Sequence, residues 1–75
     1  MTGEAYAVVL VYSTSYALKA EKHLAKAGIT CKLIPVPRQL GSDCGVCVRI
    51  ARRDRETAEE VLMGAAMQVA GIRDI

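Results

Sequence analysis

Apolar residues run without a break from Ala5 to Tyr12 (Ala-Tyr-Ala-Val-Val-Leu-Val-Tyr) and give way at once to Ser13-Thr14-Ser15. A β-branched, aromatic run of this kind predicts a strand buried on both faces. Ser13 or Thr14 then caps a helix whose apolar positions, Ala17, Ala20, Leu24 and Ala27, recur at helical spacing, and Gly28 stops it. Lys19, Lys22, His23 and Lys26 share the other side of that helix, where a solvated basic face is the simplest reading. Thr30 to Pro35 predicts a second, short strand, closed by Pro35 and Pro37. The turn-forming stretch from Val36 to Gly45 is long for a hairpin connection, and long loops in small domains often carry function. Val46, Val48 and Ile50 alternate with Cys47, Arg49 and Ala51, the pattern of a half-buried third strand. Asp54 is a candidate N-cap, Thr57-x-x-Glu60 has the form of a capping box one turn later, and Ala58, Val61, Leu62 and Ala65 predict a second helix. The tail Gly71 to Ile75 fits a short edge strand.

The predicted order is β-α-β-β-α with an optional fourth strand. It fits an α+β, ferredoxin-like two-layer sandwich in which two helices cover one face of an antiparallel sheet. In that topology the first two strands run parallel. The end of the first strand, the start of the first helix and the Val36–Gly45 loop then share one edge of the sheet, which brings Cys44 near a helix N-terminus. The other face of the sheet is open, although the first strand offers it apolar side chains. A second copy of the chain is the expected cover, so a homodimer is predicted.

Composition sharpens this only a little. The chain has 75 residues, 52% of them hydrophobic, with three Tyr and neither Phe nor Trp, so 1–75 reads as one small module with a thin aliphatic core. A net charge of +2 is too weak to argue for nucleic acid or an anionic membrane. The amino-terminal Met1-Thr2-Gly3-Glu4 lacks a basic segment, and the following apolar run is too short for a signal-peptide core or a membrane span, so a cytoplasmic location is expected. Three cysteines without a secretory signal argue against a disulfide framework.

Three chemistries compete for Cys44-Gly45-Val46-Cys47. Dithiol exchange of the thioredoxin type places C-x-x-C at the start of a helix, whereas here the second cysteine leads into a β-branched strand. A structural zinc site has Cys31, Cys44, Cys47 and His23 as its inventory, but Cys31 opens the second strand at the far end of the sheet from Cys44, so no metal site is expected. The third chemistry uses Cys44 alone, as a nucleophile or carrier thiol. Gly41 and Gly45 leave room for a ligand, the amides beyond Ser13 and Thr14 carry partial positive charge, and Arg38 is a candidate partner of the thiolate. Asp43 acts in the opposite sense. A plain turn at Gly41-Ser42-Asp43 accounts for these residues equally well.

The combination of Tyr12-Ser13-Thr14, Ala17-Leu18-Lys19-Ala20-Glu21-Lys22, Ile34-Pro35-Val36-Pro37-Arg38 and Ser42-Asp43-Cys44-Gly45 resembles the selenium/sulfur carrier protein-like family, a group of small bacterial proteins. The likeness runs from Tyr6 to about Leu62, and Pro-x-Pro-Arg followed by Ser-x-Cys-Gly is its most specific part. The resemblance implies that Cys44 holds sulfur or selenium, as a persulfide or selenosulfide, for delivery to a partner enzyme. In that family the position matching Cys47 is usually small and apolar. The C-x-x-C is therefore a departure, which leaves Cys47 either a resolving thiol or a filler of a small site in the strand.

Nothing in the sequence adds an autonomous catalytic constellation: no Ser-His-Asp set, no paired carboxylates with a metal, no phosphate-binding glycine loop. The expectation is a carrier without a bound cofactor beyond its S or Se cargo, with Cys44 as carrying thiol and Arg38, Ser42, Gly45, Ser13 and Thr14 around it. Its partners would be donor and acceptor proteins, with Lys19, Lys22, Lys26 and Arg38 as a docking surface for an acidic one. A non-catalytic ferredoxin-like regulatory or assembly module and a C-x-x-C redox or metal module are the alternatives.

Overall fold

The computed structural model describes residues 5–40 and 45–75. Strand β1 (Tyr6–Leu10) leads into helix α1 (Thr14–Lys26), then β2 (Cys31–Pro35), a single 3-10 turn at Arg38–Leu40, and β3 (Val46–Ala51). A second 3-10 turn at Arg52–Asp54 runs into helix α2 (Arg55–Gly64), and β4 (Gly71–Asp74) closes the order. All pairings are antiparallel, in the order β2-β3-β1-β4, with Tyr6 opposite Ala51, Leu10 opposite Cys47, Pro35 opposite Val46 and Leu10 opposite Gly71. The molecule is the α+β, ferredoxin-like two-layer sandwich that the element order predicts, and its fourth strand forms.

The reason lies in β1. Its alternate residues Ala7 and Val9, continued by Val11, join Val48 and Ile50 of β3 under the helices, which contribute Ala17, Ala20, Leu24, Ala58 and Leu62. Each helix inserts one large side chain among alanines, so both lie close to the sheet. Truncating a fully buried leucine to alanine typically removes about 2–5 kcal/mol, a large share of the stability of a domain this size.

The other residues of β1 face away from the helices. Val8 and Leu10 form a second buried cluster with Cys47, against which Ile34, Val36 and Leu40 pack. The segment after β2 therefore folds back over this face, and the chain covers its own apolar sheet surface. That answers the argument from which a homodimer was expected, since a second copy is not needed to bury these side chains. It also makes β3 buried on both faces at Cys47 and Val48, where simple alternation predicted a half-buried strand.

Three local expectations change. Strand β1 is shorter than the apolar run, because Val11 leaves the ladder while staying buried and Tyr12 is exposed. The helices end one position before Ala27 and Ala65, which are exposed caps and not part of the apolar stripes. Asp54 does precede α2, but its side chain makes no capping bond, and Thr57 and Glu60 lie inside a helix that has already begun at Arg55, so the capping box does not form. Arg55 instead ties the start of α2 to β4: it donates to Asp74 Oδ1 at 2.9 Å and to the Ile72 carbonyl at 3.2 Å, while Arg52 donates to the Ile75 carbonyl at 2.9 Å.

Both helices finish in the same hydrogen-bonded motif with different residues. After α1, Gly28 sits at φ 81 and Ile29 N donates to Leu24 O at 3.0 Å; after α2, Ala66 sits at φ 55 and Met67 N donates to Leu62 O at 3.0 Å. The left-handed position suits glycine and strains alanine. A Cβ on Gly28 would meet nothing within 4 Å, so its requirement is conformational alone. Ala66→Gly is expected to raise the urea midpoint and Gly28→Ala to lower it, each by the equivalent of about 1 kcal/mol. A loss of stability in both variants would contradict these helix ends.

Candidate functional site

The antiparallel registers fix which ends of the elements meet. Leu10 at the end of β1, Pro35 at the end of β2 and Val46 at the start of β3 lie at one end of the sheet, because Leu10 pairs with Cys47 and Pro35 with Val46. Val36 N donates to the Gly45 carbonyl at 3.1 Å, which closes the Val36–Gly45 segment at that end. Helix α1 starts there too. Ser13 is its N-cap, and its Oγ accepts from Tyr16 N at 3.4 Å, so this hydroxyl serves the helix, while Thr14 is the exposed first helical residue. The expected convergence of the first strand's end, the first helix's start and the Val36–Gly45 loop is therefore present in its framework. Cys44 and Ser42, the central residues of the expected site, lie outside the described residues. Gly45 is exposed, and a Cβ there would meet nothing within 4 Å, so packing does not demand the glycine.

Arg38 is exposed on the 3-10 turn. Because Val36 and Leu40 pack on the cluster of Val8, Leu10 and Cys47, that turn belongs to the layer opposite the helices. Lys19, Lys22 and Lys26 are exposed on α1. The three lysines and Arg38 thus occupy opposite layers and do not form the one basic docking surface that the sequence implied.

The two described thiols have settings of opposite kinds. Cys31 opens β2 beneath α1, packs against the helix-side core and donates its S–H to the Glu21 carbonyl at 3.7 Å. Burial first, and the Glu21 carboxylate second, push its thiol above the ordinary range, so it stays protonated near neutral pH. Cys47 is fully buried on the other face. The sheet lies between them, and the two cannot ligate one ion; among the described residues no group of three or more His, Cys, Asp or Glu converges as metal ligands. A groove of about 740 Å³ runs along α1 and β2, bordered by Leu18, Lys22, Ala25, Ile29 and Cys31, so the thiol beside this concavity is one whose ionisation is opposed.

One feature at the α1 end was not legible in the sequence. Tyr12, 61% exposed, meets Tyr16 edge-to-face with centroids 6.4 Å apart, and Lys19 Nζ lies 5.8 Å from the Tyr16 centroid. The apolar run assigned Tyr12 to a buried strand; the signal against it is the Ser13 cap, which obliges the chain to leave the sheet first.

These settings predict thiol reactivity. In a native-state alkylation followed by mass spectrometry, Cys31 is expected to react slowly near neutral pH and faster as pH rises, and Cys47 only when the protein unfolds. Rapid labelling of Cys47 in the folded protein would contradict its burial.

Among the described residues no helix is long and apolar enough to cross a membrane. No curated protein and no solved structure shows a significant match to the chain. The family model described as "Putative Se/S carrier protein-like" matches residues 6–73, from the first residue of β1 into β4. With nearly its whole length matched, the chain belongs to that selenium/sulfur carrier-like family.

Proposed function

We propose that the protein is a cytoplasmic carrier that holds sulfur or selenium on Cys44 and passes it to an acceptor protein. The observation that carries this reading is the sorting of the other two thiols: Cys47 has no exposed surface and Cys31 is kept protonated under α1. Family membership supplies the class of cargo. Gly45, next in sequence to Cys44, is exposed and tethered to Val36 at the end of the sheet where α1 begins, a position suited to a thiol that must reach two partners in turn.

The chemistry needs little else. A Cys44 thiolate attacks the outer sulfur of a donor persulfide; the new S–S bond forms on Cys44 as the donor S–S bond breaks, and the donor departs as a thiolate. Delivery reverses the roles: an acceptor nucleophile attacks the outer sulfur and Cys44 leaves as thiolate. No net oxidation occurs in either step. The partial positive charge at the α1 N-terminus favours the thiolate in both. In this reading Arg38 and Ser42 steady the charged sulfur, and Thr14 lies at the helix start. Cys47 fills a small apolar site beneath Val36 and Leu40 and is not a resolving thiol. The protein acts through donor and acceptor proteins and not as an autonomous enzyme.

Intact-mass spectrometry after incubation with a persulfide donor, or with selenite and a thiol, tests this. Loading is expected in the parent, Cys31→Ser and Cys47→Ala proteins, and loss of loading in Cys44→Ser. Gly45→Ala is expected to leave the unfolding midpoint within about 0.5 kcal/mol of the parent, because the added methyl meets open space. Loading by Cys44→Ser equal to the parent, or no loading by any variant, would replace the carrier reading with that of a binding or assembly module.

A further inference from the structure

At the end of the sheet remote from Gly45, a cavity of about 410 Å³ opens where β1 and β2 begin and β3 ends. Its walls include Tyr6, Thr30, Lys32, Arg49, Arg53 and Asp54. Three cations against one carboxylate give it a positive interior.

The placement of two of these cations is costly for the fold. Lys32 and Arg49 are direct partners across the β2–β3 ladder, so their side chains leave the same face of the sheet side by side. Like charges in that relation destabilise a sheet. Arg49 is half-buried, and its guanidinium carbon lies 4.2 Å from the Tyr6 ring centroid, a cation–π contact that helps to hold the group in place. The neighbouring arginines behave differently. Arg52 and Arg55 both reach the Asp74 carboxylate, whereas among the described residues no carboxylate is ion-paired with Lys32, Arg49 or Arg53. A pair of opposed cations, one of them stacked and a third close by, is stabilised when an anion sits between them.

We propose that this cavity binds a small, multiply charged oxyanion group such as a phosphate or diphosphate. Arg49 is the oriented donor, Lys32 and Arg53 are the flanking charges, and the Thr30 hydroxyl adds a neutral hydrogen bond. The volume admits the anion together with a modest organic group attached to it, and the Tyr6–Arg49 stack forms one wall. This site is separate from Cys44. Its occupancy and the loading of Cys44 are measured independently, so either reading can fail without the other.

The experiment is a titration of the isotope-labelled protein with inorganic pyrophosphate at fixed ionic strength, followed by amide chemical shifts. Saturable shifts are expected to concentrate at Thr30, Lys32, Arg49 and Arg53. Lys32→Gln and Arg49→Gln are each expected to weaken binding by about tenfold, whereas Lys26→Gln, which removes an α1 cation outside the cavity, leaves it unchanged. Without ligand, Lys32→Gln is also expected to unfold at the same or a higher temperature than the parent, because it removes a like-charge pair from the ladder. Absence of saturable shifts, shifts spread evenly over all basic residues, or equal weakening by Lys26→Gln and Lys32→Gln would overturn the proposal. A folded Lys32→Gln protein that binds pyrophosphate as tightly as the parent would do the same.

Discussion

The structure depends on one strand having to bury both of its faces. β1 pairs with β3 on one side and β4 on the other, and its side chains from Ala7 to Leu10 are all buried. One face is served by two helices, each docking a single leucine among alanines. The other face has no helix. It is served by the chain that follows β2, which returns across the sheet and lays Val36 and Leu40 on Val8, Leu10 and Cys47. Residues 36–40 thus cover this face, and Val36 N donates to the Gly45 carbonyl just before β3 begins at Val46.

The same constraint sorts the cysteines. Cys47 is on the second face and serves as one of the small side chains that let the returning segment approach. Cys31 is on the first face, under α1, where burial and then the Glu21 carboxylate oppose its ionisation. A fold that uses both faces of its sheet thus buries one thiol and opposes the ionisation of another. The chain's charges are sorted in a similar way. Arg52 and Arg55 fasten β4 to the start of α2 through Asp74, whereas Lys32 and Arg49, opposed across β2 and β3, have no ion pair among the described residues.

Much of this was legible in the sequence where a local rule was enough. The unbroken run ending in Ser13-Thr14 gave a two-face strand and a capped helix, and Gly28 marked the end of α1 because the left-handed residue there was a glycine. The end of α2 was harder: Ala66 does the same work without the usual signal, and Gly64 still lies within the helix. Thr57 and Glu60 satisfied a capping pattern that the helix had no use for, since α2 had already begun at Arg55. What no local rule could reach was register. The opposition of Lys32 and Arg49, the assignment of Cys31 and Cys47 to opposite faces and the separation of Arg38 from the α1 lysines all depend on which residue lies across the ladder. Likewise, the apolar second face implied a cover, but the pattern did not say that residues 36–40 of the same chain would supply it.

The central claim is that this fold leaves one thiol, Cys44, to carry cargo. The most direct measurement is fragment-ion mapping of the protein isolated from cells without reductant and alkylated at once, because it reads which sulfur atom holds the added S or Se in its working setting. The account predicts the added atom on Cys44, with Cys31 and Cys47 as unmodified thiols. Cargo on Cys47 or Cys31 would contradict it, as would protein whose three cysteines all emerge without added sulfur or selenium.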